Sequence, residues 1–73
     1  MKLSVHKTIS EYKVNDINNN VVGSVRLIET DPLHRDVIVD IRNATLSHDN
    51  AEKVALKIIE FAERADRWNL GDY

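Results

Sequence analysis

Four polar residues in and after a predicted turn come nearest to a chemical site in this sequence: Asp31, His34, Arg35 and Asp36. An Asp-His-Asp group could hold a metal ion or transfer a proton, because imidazole and carboxylate groups both titrate and bind metals. The sequence offers no second ligand pair at metal-binding spacing. We therefore interpret this cluster as a polar turn that enters an edge strand.

A second pair, His48 and Asp49, lies at the predicted start of a helix. A catalytic dyad would place a cationic histidine at a helix N-terminus, where positive charge is disfavoured, and Asp49 is already suited to capping. The chain also has no cysteine, no glycine-rich phosphate loop and no serine in a nucleophile-elbow context. We therefore expect no catalytic residue, no metal site and no cofactor, and we interpret the chain as non-enzymatic.

The composition favours one small globular domain that spans residues 1–73. The chain is 42% hydrophobic and 30% charged, with a formal net charge of −2. An acidic chain without a basic run lacks the Lys and Arg clusters that displace counterions, so nucleic acid is not the expected partner. A domain this short buries a marginal core, and without disulfides we expect self-association to support it.

Targeting signals are also missing from the sequence. The N-terminal residues contain no apolar signal region, and no apolar run approaches the about 18 residues needed to cross a membrane. We therefore expect a cytoplasmic protein that does not contact a membrane.

The strongest predicted element is a helix that runs without Gly or Pro from a cap at Ser47 or Asp49 to Trp68. At 100° per residue, seven apolar residues share one broad face. We expect the alanines among them to let the helix axis lie close to a sheet. These seven are Ala51, Val54, Ala55, Ile58, Phe61, Ala62 and Ala65.

The residues before the helix predict three strands with alternating polar and apolar positions. They cover residues 11–16, with a start as early as Leu3 left open, then 21–29 and 35–42. Turns at residues 18–20 and 30–34 are short, so the strands should form an antiparallel meander. We predict an α+β fold, βββα, in which one C-terminal helix packs on one face of a three-stranded sheet.

Apolar residues that this fold does not need are the most informative ones. With one helix, the second sheet face stays bare, and three β-branched residues there predict a modest patch, whereas neighbouring polar residues could keep that face wet. On the helix, one leucine falls in the charged arc and two aromatic residues lie at the edge of the apolar face, where they either anchor a partner or complete the core. The candidate interface consists of Val22, Ile28, Ile38, Leu56, Phe61 and Trp68.

Two segments carry a family resemblance: residues 14–25, Val-Asn-Asp-Ile-Asn-Asn-Asn-Val-Val-Gly-Ser-Val, and residues 46–59, which begin Leu-Ser-His-Asp-Asn-Ala. This order of strand, Asp-x-Asn turn, strand and Ser-x-x-x-Ala helix resembles small phage and prophage accessory proteins. The resemblance implies a phage-encoded or prophage-derived protein, in some cases an inhibitor of a host protein. The strand-strand-strand-helix order is also similar to HicB-type antitoxins, with residues 47–63 in the helix position, although the hairpin here lacks their proline-glycine segment.

The leading hypothesis is a non-enzymatic protein-interaction module that forms a homodimer and binds an unidentified protein. The alternative is a nucleic-acid-linked or antitoxin-like regulator that uses Lys2, Lys7, Lys13 and Arg26. These four residues would have to converge on one face without interleaved acidic side chains. A small enzyme around His34 and Asp36 would require a pocket there.

Overall fold

The computed structural model describes residues 7–31 and 34–71. They form three strands and one helix: β1 (Lys7–Asn15), β2 (Val21–Asp31), β3 (His34–Ile41) and α1 (His48–Asn69). The strands pair antiparallel in the order β1-β2-β3. The helix follows the sheet and packs on one of its faces, so the predicted βββα architecture is confirmed.

Both hairpins extend further than the sequence predicted. Strand β1 begins at Lys7, four residues before the predicted start at residue 11, and the alternative start near Leu3 lies outside the described residues. Strand β2 continues to Asp31, which pairs with His34 of β3. The predicted turn at residues 30–34 is therefore wrong at residues 30, 31 and 34, which belong to strands, and residues 32 and 33 lie outside the described residues.

The predicted asparagine turn between β1 and β2 is confirmed, and its organiser is an aspartate. Oδ1 of Asp16 accepts hydrogen bonds from the backbone N–H groups of Asn18 at 2.9 Å and Asn20 at 2.8 Å. Asn19 adopts a φ of 69°, a left-handed conformation that asparagine tolerates better than most residues. The predicted strand over residues 11–16 is therefore one residue too long, because Asp16 lies beyond the end of β1.

Helix α1 is capped by Ser47 rather than by Asp49, the other predicted candidate. The Ser47 hydroxyl accepts a hydrogen bond from the backbone N–H of Asn50 at 3.1 Å. Asp49 lies in the first turn, where its negative charge favours the positive end of the helix dipole. At the other end Gly71, with φ of 86°, donates its N–H to the Trp68 carbonyl and ends the helix.

The core lies between the sheet and one stripe of the helix. Its buried residues are Val14, Val22, Val25, Leu27, Val54, Phe61 and Ala65. The apolar face predicted for the helix is therefore wider than the stripe that is buried, which consists of Val54, Phe61 and Ala65. Ala65 is buried, but Ala51, Ala55 and Ala62 are exposed, so the prediction that the alanines as a group lie against the sheet is wrong.

The helix crosses the sheet obliquely, which explains its narrow buried stripe. Near its start, the Asn50 side-chain amide donates to the Asn15 carbonyl at the end of β1, at 3.2 Å. At its end, the Asn69 side chain bonds to Arg35 at the start of β3. Because the axis runs from β1 towards β3, the later part of β3 receives little cover from the helix.

Candidate interaction surface

The two predicted histidine pairs are present but exposed. Nε2 of His34 lies 3.2 Å from Oδ2 of Asp36, and both side chains are more than half exposed. Nε2 of His48 lies 3.2 Å from Oδ1 of Asp49, and this pair is still more open. Among residues 7–31 and 34–71, no three His, Asp or Glu side chains group together as metal ligands would.

The three candidate interface residues of the sheet differ in exposure. Val22 is 6% exposed and Ile28 3% exposed, whereas Ile38 is half-buried. A register shift between Val14 and Asn15 leaves Val22 as an extra residue of β2, and this bulge disturbs the alternation that predicted its direction. The three residues therefore present much less open surface than the sequence predicted, and their part in an interface stays a prediction.

The three candidate residues of the helix also have different surroundings. Phe61 is 3% exposed and completes the core, whereas Leu56 is 65% exposed in the charged arc, as predicted. Trp68 is half-buried, and the guanidinium of Arg35 covers its ring at 3.7 Å. Of these three residues, Leu56 presents the most open surface.

A different apolar surface is exposed where α1 passes beside β3. Val39 pairs with the fully buried Val25 and faces the helix side of the sheet, yet it is 49% exposed. On the helix, Ile59 is 54% exposed and lies between Ala55 and Ala62, which are also exposed. We refer to Ala55, Ile59 and Ala62 as the α1 flank.

Two shallow recesses border the α1 flank, and one of them reaches β3. One is lined by Ile59, Ala62, Glu63 and Asp66. The other contains Ala62 again, together with Val37 of β3 and Asn69 at the end of the helix. Ala62 and Asp66 border both recesses, so the flank adjoins the start of β3 at Val37, and the carboxylates of Glu63 and Asp66 lie beside it.

The backbone of β3 presents hydrogen-bonding groups to this surface. The N–H of Arg42 donates to the Val22 carbonyl at 3.0 Å, so the even-numbered residues of β3 point towards β2. By the same alternation, the N–H and C=O groups of Val37, Val39 and Ile41 point away from β2. We refer to these outward groups as the β3 edge.

Asn69 closes one end of the β3 edge. Its side-chain amide accepts from the Arg35 N–H at 2.7 Å and donates to the Arg35 C=O at 2.8 Å. The side chain thus satisfies both outward groups of Arg35 as a neighbouring strand would. The backbone groups that remain open on this side of β3 therefore begin at Val37 and belong to three residues.

The opposite edge of the sheet is protected by charge and irregularity. The outward residues of β1 include Glu11 and Lys13, whose side chains form an exposed pair at 3.7 Å. A register shift between Thr8 and Ser10 also interrupts the strand. Charged side chains and bulges both discourage strand addition, so β3 is the more open edge.

The basic residues of the nucleic-acid alternative do not converge in the described part of the chain. Lys13 pairs with Glu11, and Glu11 also lies opposite Arg26 in the strand register. Lys7 lies opposite Glu29 in that register, and Lys2 is outside the described residues. Acidic side chains thus interleave with the basic ones, which is the pattern expected to disfavour nucleic-acid binding.

No helix within the described residues is both long enough and apolar enough to cross a membrane. The chain matches no protein-family model, no curated protein and no solved structure.

Proposed function

We propose that this chain is a non-enzymatic protein-interaction module that acts as a homodimer in the cytoplasm. The observation that carries the proposal is the exposure of two large apolar side chains, Val39 on the helix side of β3 and Ile59 on the α1 flank. Exposed large apolar side chains with charged residues around them are typical of association sites. Following the phage-type resemblance, we propose that the dimer in turn binds a host protein.

The small core supports association for an energetic reason. The helix contributes three buried residues, Val54, Phe61 and Ala65, two of which have small side chains. Burial of apolar surface stabilises by about 25 cal/mol per Å². Val39 and Ile59 face solvent in the single chain, so their burial in a dimer would stabilise the dimer. A second chain over the α1 flank would remove both side chains from water.

The proposal is tested by the substitution Ile59→Glu, measured by sedimentation equilibrium over a range of protein concentrations. Ile59 is exposed in the single chain, so the variant should fold, but a carboxylate in the buried interface should dissociate the dimer. Ile17→Glu is the matched control, because Ile17 is 60% exposed in the β1–β2 turn and lies outside the α1 flank. We expect a dimer for the control and a monomer for Ile59→Glu, each with the circular dichroism spectrum of the wild type.

Two results would contradict the proposal. A wild-type chain that sediments as a monomer at every concentration would remove the homodimer. Equal dimerisation of Ile59→Glu and Ile17→Glu would remove the α1 flank from the interface.

A further inference from the structure

We propose that two copies join by antiparallel pairing of their β3 edges in one register, with Val39 opposite the partner's Val39 on the two-fold axis. This inference rests on the proposed homodimer and specifies its geometry. The result would be a continuous six-stranded sheet in the order β1-β2-β3-β3-β2-β1. The orientation of the outward groups and the charge sequence of β3 together support this register.

The outward groups restrict the possible registers. Backbone hydrogen bonds between the two β3 edges can form only between residues whose N–H and C=O groups point outward. Val37, Val39 and Ile41 must therefore pair with the same set of three residues in the partner. With Val39 on the axis, Val37 lies opposite the partner's Ile41, and Ile41 opposite the partner's Val37. The three pairs would exchange about six backbone hydrogen bonds.

Charge complementarity selects among these registers. With Val39 on the axis, Asp36 lies opposite the partner's Arg42, and the two-fold symmetry repeats the pair on the other side. Asp40 then lies opposite the partner's Ile38. Opposite charges directly across a strand pair stabilise it, so both ends of the interface would be favourable.

The two neighbouring registers bring carboxylates together. A shift that puts Ile38 on the axis places Asp36 opposite the partner's Asp40, twice in each dimer. A shift that puts Asp40 on the axis places that residue opposite its own copy. Like charges directly across a strand pair are destabilising. The Val39 register is the one that avoids such contacts and keeps all three outward residues paired.

The α1 flank fits the same arrangement. A two-fold axis perpendicular to the sheet leaves both helices on the same face, with their flanks turned towards each other. Two of the three residues in each flank are alanines, Ala55 and Ala62, and small residues let helices approach closely. The exposed Ile59 and Val39 would pack between the helices and the shared sheet. Asn69 would stop the added strand at Arg35, which sets the length of the interface.

The register is tested by exchanging the two charges that it brings together. Asp36→Arg puts a second arginine opposite the partner's Arg42, and Arg42→Asp puts a second aspartate opposite the partner's Asp36. Each single variant should raise the dimer dissociation constant about tenfold or more, because each dimer contains two such contacts. The double variant Asp36→Arg/Arg42→Asp restores opposite charges and should return within about threefold of the wild type.

Sedimentation equilibrium of these four proteins separates the inference from the proposed function. A wild-type dimer that both single variants leave unchanged would overturn the register and leave the homodimer intact. A double variant weaker than either single variant would also overturn it. A wild-type monomer at every concentration would overturn both proposals. Thermal unfolding of each variant at a concentration where the wild type is monomeric checks that the single chain still folds.

Discussion

The guanidinium carbon of Arg35 lies 3.7 Å from the centroid of the Trp68 ring, where the end of α1 meets the start of β3. The same guanidinium reaches Oε1 of Glu29 on β2 at 3.3 Å, and both of these charged side chains are largely buried. One arginine thus connects the helix with two strands. Together with Asn69, it holds the end of α1 against the strand that presents the open edge.

Arg35→Ala should destabilise the fold by about 1–2 kcal/mol, because it removes a partly desolvated cation–π contact and leaves Glu29 without its ion partner. Urea unfolding followed by tryptophan fluorescence measures the change. Arg67→Ala is the control, since Arg67 is exposed in the last turn and should shift stability by less than about 0.5 kcal/mol. Equal losses for both variants would contradict the role of Arg35.

Asn69→Ala should cost about 1–2 kcal/mol, because two hydrogen bonds to the Arg35 backbone are lost together. The predicted signature is local: amide exchange of Arg35 should accelerate under conditions where the core amide of Val25 stays protected. Asn69→Asp keeps the acceptor and loses the donor, so its loss should be intermediate. An unchanged exchange rate at Arg35 in Asn69→Ala would show that Asn69 does not cap this edge.

Gly23→Ala should be one of the most disruptive single changes in the chain. A Cβ atom on Gly23 would overlap the backbone carbonyl of Asp40 on β3, which cannot move without breaking the ladder. We expect a loss of about 3 kcal/mol or an unfolded chain. Gly71→Ala is the matched comparison: a Cβ atom there meets open space, and only the positive φ costs about 1–2 kcal/mol. Chemical denaturation of the two variants should therefore rank Gly23→Ala as far more damaging.

Asp16→Ala should destabilise the β1–β2 turn by about 1–2 kcal/mol, because one carboxylate oxygen accepts from two backbone N–H groups. Asp16→Asn keeps an oxygen in the same place and should recover most of that loss. Thermal unfolding of the three proteins checks the order. A variant Asp16→Asn as unstable as Asp16→Ala would argue that the charge matters and the acceptor geometry does not.

The sequence predicted those elements whose signals are local. The alternation of Val37, Val39 and Ile41 indicated β3, and Ser47 followed by an uninterrupted helical pattern indicated α1. Both signals come from residues a few positions apart in the chain. They were therefore enough to establish the strand order and the βββα architecture.

The surface depends on long-range geometry that local patterns do not contain. Nothing near Val39 in the chain shows that an oblique helix leaves it half exposed. Asn69 carries no cap signal of its own, because its partner Arg35 is 34 positions away. Ile59 did carry a usable signal, since it falls between Ala55 and Ala62 on the helix, but that position becomes informative only once the buried stripe is known to be narrow.

The amide exchange rate of Val39 at increasing protein concentration tests the central claim most directly. Pairing of two β3 edges predicts that this amide, together with those of Val37 and Ile41, becomes protected as the dimer forms. The amide of Lys13 on the opposite edge should exchange rapidly throughout and serves as the internal control. A Val39 amide that exchanges as fast as that of Lys13 in a sample shown to be dimeric would contradict edge pairing. Protection of Val39 in a sample shown to be monomeric would assign the β3 edge to a contact within one chain and would also contradict it.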